Sequence, residues 1–217
     1  MKTLIFTKKI WDKTNIKKNN YHYKIYHKIS TKFIEKEKPD RIFFIHWSNF
    51  IPKKIYKNYE CIQFHCSDLP KFRGGSPIQN QIIRKIKKTK LTAFEVNEKI
   101  DSGPIYLKKK ISLNGKAQEI YKRIEHLSFK MIEIINNKNI KPFKQFGKIS
   151  SYKRRKPDDS FIPKKLKKIN DLYDFIRMLD ADSYPKAKIN LKNFICELYD
   201  AKYYKKNLYG KFFIKKK

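Results

Sequence analysis

The run RIFFIHW, from Arg41 to Trp47, most constrains how this chain can fold. It is rich in β-favouring apolar residues, and turn-forming pairs, Pro39-Asp40 and Ser48-Asn49, lie on either side of it. A strand that is apolar on both faces needs cover on both faces, which is typical of a strand inside a parallel sheet. The run is far shorter than the ~20 apolar residues of a membrane-spanning helix. We therefore expect a buried strand and no membrane span.

Predicted strands and helices alternate up to about residue 136. Further short apolar runs predict strands at Lys2–Thr7, at Cys61–His65, in LTAFEV and in the stretch after Pro104. Helices are predicted after Ser30, Pro52 and Pro77 and, most clearly, in NGKAQEIYKRIEHLSFKMIEIIN, where apolar residues recur on one helix face. This alternation predicts the fold class α/β with a mainly parallel sheet.

The stretch KPFKQFGKISSYKRRKPDDS breaks the alternation and is interpreted as a linker. Beyond it the sequence predicts one helix, INDLYDFIRMLDA, and an antiparallel pair of strands, KNFICELYDAKYY and LYGKFFIKK. We therefore predict a larger domain over residues 1–150 and a small C-terminal helix-plus-hairpin subdomain, an α+β appendage, over residues 151–217. The exposed-edge character of the tail strands makes a homodimer through them a further hypothesis.

The chain carries 53 Lys and Arg against 20 Asp and Glu, a net charge of +33. Such a charge fits either a polyanionic partner or a general bias of composition. The lysines are spread from Lys2 to Lys217 and no nucleic-acid module signature is present, so we expect a compositional bias and no nucleic-acid partner. The three cysteines form no CxxC pair, and lysines follow the first short apolar stretch too soon for a secretory signal. We expect reduced thiols, a cytoplasmic protein and no metal site.

The loop CIQFHCSDLPKFRGGSP, from Cys61 to Pro77, holds the candidate site. Strand alternation places Gln63 and His65 on one face at the carboxyl end of a strand, where reacting groups gather in open α/β sheets. Asp101 follows the next predicted strand, and a carboxylate there would orient an imidazole for acid–base chemistry. Each residue also has an ordinary structural interpretation: a histidine that makes hydrogen bonds, and an aspartate that forms a turn before Gly103 and Pro104.

FHCSDLPKFRGGSP followed by KIDSGPIYLKKKISL resembles the signature of folate-dependent formyltransferases, in which an Asn-x-His pair precedes a Leu-Pro-x-aromatic-Arg-Gly turn and an Asp-Ser-Gly. The resemblance implies transfer of a formyl group from 10-formyltetrahydrofolate as co-substrate, without a metal. It implies that His65 stabilises the tetrahedral oxyanion, that Asp101 holds His65, and that Gln63 donates to the oxyanion. The residues that it implies for binding the pterin are Asn49, Phe50, Ile51, Asn97, Ile100 and Asp101.

Two features depart from the family pattern. Gln63 stands where the family has asparagine, so its amide sits on a side chain that is one methylene longer. The region before Ile42 is short for the family. We therefore expect an abbreviated Rossmann-like, mainly parallel sheet of the formyltransferase fold.

The tail decides our expectation for the acceptor. RRKPDDSFI and LYDFIRMLDADSYPKAKI resemble the segment that follows the catalytic domain in sugar formyltransferases. We expect an amino sugar, nucleotide-linked, as the small-molecule acceptor in surface polysaccharide biosynthesis. Trp47, Tyr106 and Arg155 are candidates to contact it by their placement only.

Three alternatives stay open. A methionyl-tRNA formyltransferase-like enzyme would suit the positive charge, but the tail is short for a separate RNA-binding barrel. A non-catalytic relative would keep the fold and bind a ligand or RNA, and Gln63 is the residue that favours it. The third alternative is hydrolysis of 10-formyltetrahydrofolate without an acceptor.

Overall fold

The computed structural model describes residues 1–12, 23–138, 140–182 and 184–217. The strands are β1 (Thr3–Thr7), β2 (Ile25–Tyr26), β3 (Arg41–Ile45), β4 (Glu60–His65), β5 (Arg73–Gly74), β6 (Lys88–Glu95), β7 (Ile105–Ser112), β8 (Ser151–Tyr152), β9 (Ala187–Leu191), β10 (Phe194–Tyr204) and β11 (Asn207–Lys216). The helices are α1 (Thr31–Glu37), α2 (Lys53–Asn58), α3 (Pro77–Ile82), α4 (Ala117–Asn137) and α5 (Ile169–Arg177), with a short 3-10 helix at Pro157–Ser160.

A six-stranded sheet in the order β2-β1-β3-β4-β6-β7 forms the centre of the fold. The pairs β1/β2, β1/β3 and β3/β4 are parallel, which confirms the predicted α/β class with a mainly parallel sheet. β6 runs antiparallel to β4, with Gln63 opposite Phe94 and His65 opposite Thr92. The antiparallel strand was not predicted, because an apolar run does not reveal the direction in which it pairs.

Local signals fix the elements around β3. Ser30 caps α1, since its side chain accepts a hydrogen bond from the Phe33 N–H (3.3 Å). Lys38 ends the helix in the left-handed conformation just before Pro39. In β3 the residues Ile42–Ile45 are buried, and the Phe44 ring stacks on Phe6 at 5.6 Å between centroids. The predicted doubly buried strand is confirmed, and it lies beside β4, which carries the candidate site.

The chain divides into two compact units. The first unit contains Met1–Gly74, Thr89–Ile111 and Lys122–Ser151, and the second contains Gly75–Lys88, Ser112–Tyr121 and Tyr152–Lys217. The predicted boundary near residue 150 stays a prediction.

Within the second unit, β9, β10 and β11 form an antiparallel sheet, and α5 packs on β10. The predicted antiparallel pair of tail strands is therefore confirmed, and β9 is added to it. Inside the same unit, Gln79 donates to the Met178 carbonyl (3.1 Å), and Arg177 donates to the carbonyls of Leu113 and Gly115 (both 2.7 Å). These bonds tie the tail to two earlier segments of the chain.

The three cysteines are buried and form no disulfide. Burial raises the pKa of the Cys61 thiol and of the Cys66 thiol to about 12, so both stay protonated at neutral pH. No helix within the described ranges is long and apolar enough to cross a bilayer.

Candidate active site

His65 lies at the carboxyl end of β4, with only 7% of its surface exposed. Its Nδ1 is 3.4 Å from Oδ2 of Asp101, and its Nε2 is 2.7 Å from the Phe72 carbonyl oxygen. The carbonyl oxygen can only accept, so Nε2 carries a proton and donates it there. The ring is thus held between a carboxylate and a backbone carbonyl.

Asp101 reaches His65 from the turn between β6 and β7. Its backbone adopts the left-handed region, with φ of 50°, which aspartate tolerates better than most residues. Its Oδ2 also accepts a hydrogen bond from the Gly74 N–H (2.8 Å). Gly103 permits the turn to pack against β6, since an added Cβ there would lie 1.7 Å from the Glu95 carbonyl oxygen. The glycine of the Asp-Ser-Gly motif is therefore required by close backbone approach.

The structure thus brings together the two residues that the sequence predicted as an acid–base pair. Asp101 is only 8% exposed, so both partners are buried. In a buried site a carboxylate and an imidazole interact more strongly than they would in water, because the local dielectric is lower. The catalytic roles of the two residues remain a proposal.

Gln63 lies half-buried on β4, two residues before His65. Its Nε2 donates to the Trp47 carbonyl oxygen at 3.2 Å. One amide N–H of Gln63 is therefore occupied by the Trp47 carbonyl, just after β3. The second N–H is the donor that the predicted oxyanion role would use.

Two site residues were missed by the sequence analysis, because they lie in the stretch interpreted as a linker. Ser150 fixes the loop beside His65: its Oγ accepts from the Phe72 N–H (3.0 Å), and its carbonyl accepts from the Arg73 N–H (2.8 Å). Gln145 donates to the carbonyls of Asp101 (3.0 Å) and Gly103 (2.8 Å) and accepts from Arg73 Nη2 (2.7 Å). No periodicity marks either residue, so only the three-dimensional structure finds them.

The residues predicted to bind the pterin lie at the ends of strands of the same sheet. Ile51 is buried, whereas the side chains of Phe50 and Ile100 are 84% and 64% exposed. Asn97 Oδ1 accepts from the Lys99 N–H (3.1 Å) and from Ser102 Oγ (2.9 Å), which shapes the loop before Asp101. The binding role of these residues stays a proposal.

The three candidates for acceptor contact are dispersed. Trp47 is buried against Phe6 and Phe44, and Tyr106 donates to Glu60 Oε1 (2.9 Å) at the opposite end of β4 from His65. Arg155 belongs to the second unit. Among the described residues, no three His, Cys, Asp or Glu side chains cluster in a way that could hold a metal ion.

The chain is similar to known formyltransferases. It is 34% identical to methionyl-tRNA formyltransferase of Thermosipho melanesiensis over 123 residues, which is 55% of this chain and 40% of the relative. It spans less than half the length of the curated relatives that it matches. The structure of methionyl-tRNA formyltransferase from Clostridium thermocellum matches with a TM-score of 0.92 and 36% identity, covering 100% of both chains. HypX from Aquifex aeolicus, solved in complex with tetrahydrofolic acid, shares the fold over 93% of this chain and 38% of its own, with a TM-score of 0.71 and 14% identity.

The expectation of an amino-sugar acceptor is wrong. The relatives at 33–34% identity and the full-length structural match are all methionyl-tRNA formyltransferases. Residues 157–215, whose sequence we likened to sugar-enzyme tails, match the family described as "Methionyl-tRNA formyltransferase, C-terminal domain". The error came from the resemblance of the tail to sugar-enzyme tails and from its length, which was judged short for a separate RNA-binding barrel.

The N-terminal part of the chain carries the family assignment. Residues 8–133, more than half of the chain, match the family described as "Formyl transferase". This match contains β4, the loop that follows it and the Asp101 turn, which are the elements that form the buried His65–Asp101 pair. The chain belongs to the formyl transferase family.

Proposed function

We propose that this chain transfers the formyl group of 10-formyltetrahydrofolate to the amine of methionyl-tRNA. The observation that carries the proposal is the buried pair of His65 and Asp101, 3.4 Å apart at the carboxyl edge of the sheet. Transfer of an acyl group to an amine needs an acid–base group beside the reacting carbon, and this pair is suited to that task.

The choice of acceptor rests on the comparisons. The relatives at 33–34% identity and the structure matched over its full length are methionyl-tRNA formyltransferases, and the tail matches their C-terminal domain. A tRNA acceptor is a polyanion, and the net charge of +33 favours its binding. The proposal therefore replaces our expectation that nucleic acid is not a partner.

The chemistry that we propose has two steps. The amine nitrogen attacks the formyl carbon and a C–N bond forms. The formyl oxygen becomes an oxyanion that accepts from the second amide N–H of Gln63 and from the Nε2–H of His65, which leaves the Phe72 carbonyl to reach it. The tetrahedral centre then collapses, the bond from carbon to N10 of the folate breaks, and the proton lost by the amine passes to N10. Asp101 holds the imidazole that carries this proton. Formyl-methionyl-tRNA and tetrahydrofolate are the products.

Replacement of His65 or Asp101 by alanine tests the proposal. We expect either variant to lower the rate of formyl transfer to methionyl-tRNA by ~10²–10⁴-fold, because the acid–base group or its holder is lost. His126→Ala, on α4, is the matched control and should keep the wild-type rate.

Circular dichroism would check that the variants fold. Full activity in both His65→Ala and Asp101→Ala would refute the site. Release of formate at the same rate with and without methionyl-tRNA, and no formylated tRNA, would refute the acceptor in favour of simple hydrolysis.

A further inference from the structure

The amide of Gln145 uses both of its donors and its acceptor in one place. Its Nε2 donates to the carbonyls of Asp101 (3.0 Å) and Gly103 (2.8 Å), and its Oε1 accepts from Arg73 Nη2 (2.7 Å). Two carbonyls require the NH₂ end of the amide and a guanidinium requires the oxygen, so the chemistry allows only this orientation. We propose that Gln145 is a positioning residue that holds the Asp101 carboxylate against His65.

The backbone of Asp101 needs such support. It lies in the left-handed region (φ of 50°), which costs even an aspartate some free energy relative to glycine, so contacts that hold the turn stabilise this conformation. The two bonds from Gln145 anchor the carbonyls on both sides of Ser102, so the turn is fixed within two residues of the carboxylate. We therefore expect a substitution of Gln145 to displace Oδ2 of Asp101 before it disturbs more distant atoms.

A second connection joins Gln145 to the other side of the pair. Arg73, which donates to Gln145, precedes Gly74, whose N–H donates to Asp101 Oδ2 (2.8 Å). Phe72 in the same loop accepts from His65 Nε2 (2.7 Å). Gln145 thus links the turn that carries the carboxylate with the loop that holds the imidazole.

Two substitutions separate this role from simple anchoring of the segment. Gln145→Leu removes all three hydrogen bonds. Gln145→Glu keeps an acceptor for Arg73. It also places a carboxylate beside the carbonyls of Asp101 and Gly103, and a carboxylate cannot donate a hydrogen bond to them. If Gln145 only anchored its own segment to Arg73, the glutamate variant would keep activity. If it positions Asp101, both variants should lose activity.

The kinetic arm of the test rests on the proposed function and measures formyl transfer to methionyl-tRNA. We expect both variants to lower kcat by ~10²-fold, the effect of a small misplacement of a catalytic group. Ile149→Ala, an exposed neighbour on the same segment, is the control. In an Asp101→Ala background, Gln145→Leu should have no further effect, because it acts through the missing carboxylate. Additive losses, or wild-type activity of Gln145→Glu, would overturn the inference.

A structural arm does not depend on activity. The ring resonances of His65 would be followed by NMR at one fixed pH in the wild type, in Gln145→Leu, in Gln145→Glu and in Ile149→Ala, with the resonances assigned by His65→Ala. We expect the His65 resonances to shift in both Gln145 variants and to stay unchanged in Ile149→Ala. Unchanged His65 resonances in a folded Gln145 variant would overturn the inference. Absence of formyl transfer in the wild type would count against the proposed function alone. If Gln145→Leu fails to fold, the glutamate variant decides both arms.

Discussion

The side-chain amide of Gln63 is anchored in the structure. Its Nε2 donates to the Trp47 carbonyl oxygen at 3.2 Å. This bond ties the half-buried side chain to the end of the β3 region, and it leaves one N–H for a substrate. The longer side chain is thus held by a backbone acceptor, which limits the rotamers that it would otherwise explore.

Variants of Gln63 test whether its amide acts as an oxyanion donor. Gln63→Leu keeps the approximate volume and removes the amide, so we expect kcat to fall by ~10²–10³-fold, as for other lost oxyanion donors. Gln63→Asn keeps an amide and should stay within ~10-fold of the wild-type kcat, a smaller loss than an absent donor causes. Single-turnover formylation of methionyl-tRNA would measure both values. A leucine variant with the wild-type rate would remove Gln63 from the site.

At the scale of elements, helix α4 holds the segment that follows β1. Glu125, only 3% exposed, accepts hydrogen bonds from the N–H groups of Trp11 (2.8 Å) and Asp12 (2.9 Å). Burial raises the pKa of the Glu125 carboxyl, and the two backbone donors oppose this rise only in part. The helix therefore carries a carboxyl group whose protonated form is favoured by folding.

This raised pKa predicts how stability depends on pH. A carboxyl with a raised pKa in the folded state stabilises the fold fully below its unfolded pKa of about 4.3, and this contribution is lost as the pH rises through the folded value. Gln cannot ionise, so we expect Glu125→Gln to become more stable relative to the wild type as the pH rises from about 4 to 7. Urea unfolding at several pH values would measure this difference.

Glu133→Gln, at a half-buried position on the same helix, is the control. A constant difference in unfolding free energy between wild type and Glu125→Gln across this pH range would contradict the prediction.

Much of the fold was predictable because its signals are short-range. β1, β3, β4 and α1 follow from apolar runs, a serine cap and flanking proline, all of which lie within a few residues of each element. The pairing of β6 with β4 and the bonds of Gln145 join residues far apart in sequence, and no local pattern encodes them. The His65–Asp101 pair was predicted from its motif. The predicted acceptor was wrong because the resemblance and the length of a short tail are poor guides to the substrate.

For the whole molecule, the charge of +33 is the dominant physical property. A chain of this charge repels itself and attracts a polyanion, and both effects weaken as salt screens them. With the proposed tRNA acceptor, this positive charge strengthens substrate binding. It would not strengthen the binding of a small neutral acceptor.

The KM for the tRNA acceptor and the KM for the folate co-substrate should therefore respond differently to salt. Between 50 and 200 mM salt we expect the KM for methionyl-tRNA to rise by ~10-fold or more, because contacts to phosphates release counterions. The KM for 10-formyltetrahydrofolate should change far less, since few charges are involved. Steady-state kinetics at fixed pH would give both constants. A KM for methionyl-tRNA that stays constant over this range of salt would argue against a phosphate-binding face.

The grouping of Gly75–Lys88 and Ser112–Tyr121 with Tyr152–Lys217 has a consequence for biosynthesis. The ribosome makes Tyr152–Lys217 after the other two segments, and at about 5–20 residues per second this takes roughly 3–13 s. Throughout that interval the amide of Gln79 lacks the Met178 carbonyl, and the carbonyls of Leu113 and Gly115 lack Arg177. The second unit therefore forms only once translation has passed Tyr152–Lys217, however early the strands of the first unit assemble.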